Sequence, residues 1–372
     1  METYNVVGLM SGSSLDGLDI AYCEIVHDNG AWSYQIKIAE TIPFTPKWKL
    51  RLEKLVLQNA VTYIKTHAFL GHYFGELVKS FIEKHQLFDQ IDFIASHGQT
   101  IFHQPDNGFT SQIGDPSAIA VHTGLPVISD FRHIDVALTG QGTPIAPIAD
   151  QLFFNSYRFL INLGGISNIT YQENGQPKVA FDITPVNLIL NKLAGKMHLD
   201  FDKDGDIARS GQIIEPLYND LNLSHYYAKA YPKSLSGGWV SKVMAPLVAR
   251  YKNPVPDKLR TLSEHISHQI ARGIAQIAEN EGVELKTDEK MLATGGGALN
   301  KYLIELIDEK APVSVIIPDE ETIQFKEALL MALMGVLRVR NEVNCLSAVT
   351  GAKADSVGGA IYQGTEKKLK FN

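Results

Sequence analysis

The runs "YNVVGLM" and "LDIAYCEI" are rich in β-forming residues and flank a Gly/Ser/Asp cluster at residues 11–17. The second alternates apolar and other side chains with period two, the pattern of a strand, so the opening reads strand, turn, strand. Much later "RFLINLGGISNITYQ" repeats strand, glycine turn and strand, and "KVAFDI" adds a third strand. One such hairpin is common, but two, each opening one part of a 372-residue chain, point to an ancient duplication. The length agrees, being too great for one compact core and enough for two domains with a cleft. A Gly- and Pro-rich stretch, "HIDVALTGQGTPIAP", reads as loop and puts the hinge near residues 135–150.

In "GLMSGSSLDGLDIAY", Gly12 and Gly17 have the spacing of P-loop glycines, but Leu18 and Asp19 stand where Lys and Ser/Thr would follow. A P-loop or a Rossmann turn leads into a helix, whereas this loop leads into a strand, which argues against both. Backbone N–H groups of such a turn can still cradle phosphate oxygens. An acid beside phosphate calls for a cation between them, so Asp16 or Asp19 suggests Mg²⁺ held largely through water. The loop alone supports a ligand-free hairpin turn equally well.

Further along, "KMLATGGGALNKYLIELI" reads strand, glycine turn, helix, and its three consecutive glycines let a flat ligand approach the backbone closely. Two helices are expected between Pro46 and Leu87, a long amphipathic helix through Leu259, Leu262, Ile266, Ile270, Ile274 and Ile277, and a final core helix at "FKEALLMALMGVLRV". "IDFIASHGQTIFHQP" reads as a buried strand running into a polar loop; if extended, it puts His97, Gln99, Ile101 and His103 on one side. "DFRHID" offers Arg132 as a carboxylate-binding guanidinium, with a local Arg132–Asp135 salt bridge as the competing reading. "DFDKDGDIARSG" places Asp200, Asp202, Asp204 and Gly205 at EF-hand positions, but Gly211 stands where the bidentate Glu is required. A solvated acidic turn is the better reading. His265 and His268, one helical turn apart, are expected at the surface or the boundary of their helix.

A net charge of −7 gives no reason to expect nucleic acid or an anionic membrane as partner. The two cysteines, Cys23 and Cys345, make neither a disulfide framework nor a metal site, which fits a reducing compartment. No signal peptide is visible and no apolar run is long enough to span a bilayer, so a cytoplasmic protein is expected.

The segments "GLMSGSSLDGLDIA", "SHGQTIFHQP", "IGDPSAIAVHTGLPVISDFRHIDVALTGQGTPIAP", "INLGGISNIT" and "ATGGGALN" occur in an order that closely resembles the anhydro-N-acetylmuramic acid kinases. The resemblance covers nearly the whole chain. It implies an α/β, two-lobed actin-like ATPase (ribonuclease H-like) fold, with duplicated β-hairpin-initiated domains around a central cleft. The lobes expected are residues 1–140, completed by 351–372, and residues 141–350. The implied activity is ATP-dependent opening of 1,6-anhydro-N-acetylmuramic acid by water with phosphorylation of O6, in cell-wall recycling, by a cytoplasmic homodimer.

Carried over residue by residue, the resemblance implies that Gly12, Ser13, Ser14, Leu15, Asp16, Gly17, Leu18 and Asp19 hold the nucleotide phosphates. Gly164, Gly165, Gly295, Gly296 and Gly297 complete that side. His97, Gln99, Asp115, Arg132 and Asp135 would face the sugar, and Asp182 would be the general base. Two stretches depart from the family pattern. Where it usually reads Asp-Thr-Gly-Pro-Gly-Asn, this chain has Asp182, Ile183, Thr184, Pro185, Val186 and Asn187, so two glycines are replaced; "KSLSGGWV" is the other altered stretch. Another sugar kinase of the same superfamily, or a nucleotide-dependent binding protein, are the competing functions.

Overall fold

The computed structural model describes residues 1–12, 15–231 and 233–369. They fall into two compact units, one made of Met1–Phe153 and the chain from Phe325 onward, the other of Phe154–Gln324.

The first unit is built on β1 (Glu2–Ser11), β2 (Gly17–Asp28) and β3 (Ala31–Pro43), an antiparallel meander. β4 (Phe93–Gln104) runs parallel to β1, and β5 (Phe109–Ile113) pairs antiparallel with β4. β6 (Val127–Ser129) runs parallel to β4. Both faces of this sheet are covered, which explains the nearly continuous apolar run in β1. Val6 and Met10 enter one core with Ala328, Leu329 and Leu333 of the helix Glu320–Val339. Val7 and Leu9 point the other way, into a core with Leu70, Phe74 and Val78 of the helix Ala60–His85.

In the second unit β7 (Phe159–Leu163), β8 (Ile166–Glu173) and β9 (Gln176–Pro185) form the antiparallel part. β10 (Lys290–Thr294) runs parallel to β7, and β11 (Ser314–Ile316) parallel to β10. The order β9-β8-β7-β10-β11 reproduces β3-β2-β1-β4-β6 strand for strand and direction for direction. To the first sheet β12 (Ala360–Tyr362) adds an antiparallel edge on β6. This is the duplicated, hairpin-initiated ribonuclease H-like arrangement expected from the resemblance. Behind the second sheet lies the helix Val255–Asn280, whose Leu259, Leu262, Ile266, Ile270, Ile274 and Ile277 are fully buried. Each of these side chains stabilises the unit by roughly 1.5–3 kcal/mol relative to exposure.

Several elements differ from the sequence expectation. The chain leaves the first unit after Phe153 and returns at Phe325, outside the boundaries 140 and 351. The reason is packing: Ile148 and Ala149, like the helix "FKEALLMALMGVLRV", belong to the core beneath β1 and β2. "HIDVALTGQGTPIAP" contains a short helix, His133–Ala137. The strand through "SHGQTIFHQP" continues to Gln104 because β5 pairs with its far end. The acidic turn is less solvated than expected: Asp202 is buried and accepts from the backbone N–H groups of Ile207 and Ala208, capping the helix Asp206–Ser210. Of the two histidines on the long helix, His268 is exposed but His265 is fully buried.

Candidate functional site

In the first unit β1 ends at Ser11 and β2 begins at Gly17, so the loop proper is residues 12–16. Ser13 and Ser14 lie outside the described residues. The Gly12 carbonyl accepts from the Leu15 N–H at 3.2 Å and from Gln99 Nε2 at 3.3 Å, and Leu15 adopts a left-handed φ of 58°. Asp16 accepts through its carbonyl from Phe44 N–H. Gly17, Leu18 and Asp19 are strand residues paired with Pro43, Ile42 and Thr41. The Leu18 side chain is in the core at 1% exposure, which leaves it no face for a ligand.

Asp19 does point to chemistry. Its Oδ1 accepts from Thr41 Oγ1 at 2.6 Å; burial raises its pKa against that bond, and Asp16 adds to the rise. Glu327, on the helix Glu320–Val339, is raised by desolvation and by Asp19, while Arg132 and Lys326 oppose the shift. Carboxylates that repel one another in this way suit a hydrated divalent cation better than a bare turn. Among the described residues no three metal-ligating side chains converge on a common point.

β4 brings His97 and Gln99 into the same unit, both buried. Gln99 accepts from Ser11 Oγ at 2.5 Å and donates to the Gly12 and Thr100 carbonyls, so it ties the loop to β4. The His97 Nδ1 lies 2.9 Å from the Gly98 carbonyl, while its buried Nε2 has no partner. Burial, helped by Arg132, holds its pKa down to about 3, so the ring is neutral. A neutral ring facing a carbonyl through Nδ1 carries its proton there, which leaves Nε2 as a free acceptor for a hydroxyl.

Arg132 also retains unused capacity. Its Nε is buried without a partner, and burial lowers its pKa against the pull of Glu327 and Cys345. The local Arg132–Asp135 salt bridge does not form: Asp135 Oδ1 accepts from Thr350 Oγ1 and Oδ2 from Gly142 N–H, both at 2.7 Å. Asp135 is 1% exposed and braces the loop that follows Arg132. Asp115 caps the helix Pro116–Thr123 through its Oδ1, which accepts from the Ser117 N–H and hydroxyl.

In the second unit the two glycine turns meet. Gly295 has φ 82°, and a Cβ there would lie 2.3 Å from Asn162 Oδ1 at the end of β7. A Cβ on Gly297 would lie 2.7 Å from the Leu163 carbonyl, whereas Gly296 is exposed. The carbonyls of Gly164 and Gly165 accept from the N–H groups of Asn187, and of Val186 and Leu188, so this turn is bound to the start of the helix Asn187–Ala194.

Asp182 lies on β9, half-buried. Its Oδ2 accepts from Leu235 N–H at 2.8 Å, and its backbone carbonyl accepts from Tyr226 Oη at 2.6 Å. Burial raises the carboxyl pKa, and the Leu235 N–H partly offsets this. Oδ1 takes no hydrogen bond among the described residues, so it is available to a water. An acid made more basic by burial, with one oxygen held and one free, has the properties of a general base.

A family model described as anhydro-N-acetylmuramic acid kinase matches residues 4–364. The chain belongs to this family. Among its relatives is an anhydro-N-acetylmuramic acid kinase of Hydrogenovibrio crunogenus, 33% identical over 96% of this chain and 97% of that protein. The protein of the same name from Francisella tularensis subsp. novicida is 32% identical over 95% of this chain and 97% of its own. Among solved structures, an activator of 2-hydroxyisocaproyl-CoA dehydratase from Clostridium difficile with bound ADPNP covers 88% of this chain and 93% of its own, at 15% identity and a TM-score of 0.41. Hexokinase from Schistosoma mansoni, complexed with glucose, covers 89% and 85%, at 9% identity and a TM-score of 0.35.

The departures from the family pattern have a visible structural home. Val186 is fully buried in the second core, and the buried Thr184 places its Oγ1 2.8 Å from Tyr227 Oη. Sequence reasoning missed Glu327, Tyr226 and Leu235. A charged residue inside the apolar run "FKEALLMALMGVLRV" is the signal for the first; nothing in the local sequence marks the other two.

Proposed function

We propose that this member of the family opens the 1,6-anhydro bond of 1,6-anhydro-N-acetylmuramic acid with water and transfers the γ-phosphoryl group of ATP to O6, giving N-acetylmuramic acid 6-phosphate and ADP. Water is a poor nucleophile towards an acetal carbon, so the reaction needs a positioned base. Asp182 takes the proton as the water oxygen bonds to C1. The C1–O6 bond breaks, and its electron pair stays on O6, which attacks the γ-phosphorus. The broken bond thus creates the phosphoryl acceptor.

In the first unit, His97 Nε2 accepts a sugar hydroxyl and Arg132 receives the lactyl carboxylate. The family resemblance puts Gln99, Asp115 and Asp135 on the same side: Gln99 ties β4 to the loop at Gly12, Asp115 caps its own helix, and Asp135 braces the chain that follows Arg132. Backbone N–H groups of residues 12–16, and the turns at Gly164, Gly165 and residues 295–297, serve the nucleotide. Asp16 and Asp19, joined by Glu327, would hold hydrated Mg²⁺, which neutralises phosphate charge when bound. The family resemblance also supports a cytoplasmic homodimer, which light scattering on the purified chain tests. No helix among the described residues is long and apolar enough to cross a membrane.

The observation that carries the reading is the half-held, half-free Asp182 carboxylate with its pKa raised by burial. Asp182→Asn preserves size and cannot accept the proton, so single-turnover formation of the sugar phosphate falls by roughly 10² to 10⁴ while both ligands still bind. Near-normal turnover overturns the assignment.

A further inference from the structure

Asp182 is held by more than its strand. Its backbone N–H donates to the Lys233 carbonyl at 3.1 Å, its carbonyl accepts from Tyr226 Oη, and its carboxylate accepts from Leu235 N–H. Three polar positions of one residue are therefore fixed by Tyr226, Lys233 and Leu235, from a single stretch of chain outside the sheet.

That stretch is itself anchored. Tyr227 Oη lies 2.8 Å from Thr184 Oγ1 and 3.0 Å from His265 Nε2, and His265 Nδ1 lies 3.0 Å from Asn222 Oδ1. Asn222 donates through Nδ2 to the Tyr218 carbonyl and accepts from Gln269 Nε2, which fixes Oδ1 as the acceptor. The direction of the whole chain follows. His265 donates from Nδ1 to Asn222, its Nε2 accepts from the Tyr227 hydroxyl, and that hydroxyl accepts from Thr184. Thr184 lies two residues beyond Asp182 on β9, so the neighbouring tyrosines hold β9 at two places, the Asp182 carbonyl and the Thr184 hydroxyl.

We propose that Tyr226 is a positioning residue for the Asp182 carboxylate, working with Leu235 and stabilised by the buried Tyr227–His265 pair. The proposal rests on the reading of Asp182 as general base. With its carbonyl pinned, the Asp182 backbone cannot rotate away, and Oδ2 stays on the Leu235 N–H while Oδ1 is presented to water. A donor that must be broken when the carboxylate swings also restrains the rise in its proton affinity. Titratable groups around it among the described residues include Tyr226, Tyr227, Arg272 and Lys233, whose ammonium lies over the Phe181 and Tyr226 rings and donates to the Lys229 carbonyl.

Tyr226→Phe removes only the hydroxyl and keeps the ring against Tyr227 and Trp239. In the full chain, with ATP and the anhydro sugar as probes, it should lower the single-turnover rate about tenfold, because a base misplaced by a fraction of an ångström loses that order of rate. Both ligand affinities should stay within about twofold, since the residue acts through the base. The acid limb of the rate–pH profile should move to higher pH, as the Leu235 N–H loses its hold. In an Asp182→Asn background the same change should cost nothing further. An equal loss in both backgrounds, or none in the parent, overturns the positioning role while leaving the base assignment intact. Near-full activity of Asp182→Asn alone overturns both. Should Tyr226→Phe melt out, Tyr227→Phe serves as the second variant, with the same non-additivity expected and the same additive result refuting the proposal.

Discussion

Replacing Asp135 separates two roles that its place beside Arg132 confounds. The carboxylate is 1% exposed, with each oxygen 2.7 Å from its donor, Thr350 Oγ1 on one side and Gly142 N–H on the other. Asp135→Ala leaves the buried Gly142 N–H unpaired and reduces the Thr350 hydroxyl to its 3.3 Å bond with the Leu346 carbonyl, so with about 1–3 kcal/mol for an unpaired donor about 2 kcal/mol is the central expectation. For a unit of this size that corresponds to a melting temperature lower by roughly 4–8 °C. Asp135→Asn still accepts from Gly142, and Thr350 can turn its hydroxyl to accept from the amide, so the loss should be about 1 kcal/mol. Thermal melting of the parent and both variants, monitored by circular dichroism, gives the ranking, and calorimetry with the anhydro sugar gives the affinity. The reasoning fails if Asp135→Ala melts within about 2 °C of the parent yet no longer binds sugar, because Asp135 would then be a ligand to the substrate and not a brace.

Arg132→Ala should weaken the anhydro sugar roughly tenfold to a hundredfold, the value of a charge-assisted bond, and leave ATP affinity nearly unchanged; equal losses would refute the carboxylate role. Two buried histidines set an acid limit on stability. His97 and His265 have folded pKa values held down to about 3 by burial. Below pH 6.5 the unfolded chain therefore binds protons that the folded chain refuses, and stability falls by about 1.4 kcal/mol per pH unit for each until pH 3, where the loss ends. Urea unfolding at successive pH values measures the slope, which His265→Gln should reduce by one histidine's share; an unchanged slope would show that His265 is protonated when folded.

The period-two runs and the paired glycine turns were enough to establish the two hairpins and the duplicated sheet order, because those patterns act over a few neighbouring residues. The unit boundaries were not, since what returns the chain to the first unit is the burial of Ala328 and its neighbours against β1, a contact between distant parts of the sequence. The same distinction runs through the site. Asp182, His97 and Arg132 stand in motifs that can be quoted from the chain. The partners that set their chemistry, Leu235 and Tyr226 for the first and the absence of an Asp135 pairing for Arg132, exist only once the chain is folded. His265 shows the limit of periodicity: it lies on the buried face of an amphipathic helix, and its two hydrogen-bond partners, Asn222 and Tyr227, come from outside that helix.

The helix Glu320–Val339 crosses β1 so closely that a Cβ on Gly8 would lie 1.9 Å from the Ala328 carbonyl, and its side chains fill one face of the first sheet. During synthesis that face waits. β1 to β6 leave the ribosome long before residue 325, whereas the second unit, Phe154–Gln324, is contiguous and can close as soon as it has emerged. The unit encoded first is therefore the one completed last. Until the helix arrives, Val6, Ala21, Cys23, Ile25 and Phe93 form an apolar sheet face that of this core only Ile148, Ala149 and their neighbours can begin to cover, the kind of surface on which nascent chains recruit chaperones or aggregate.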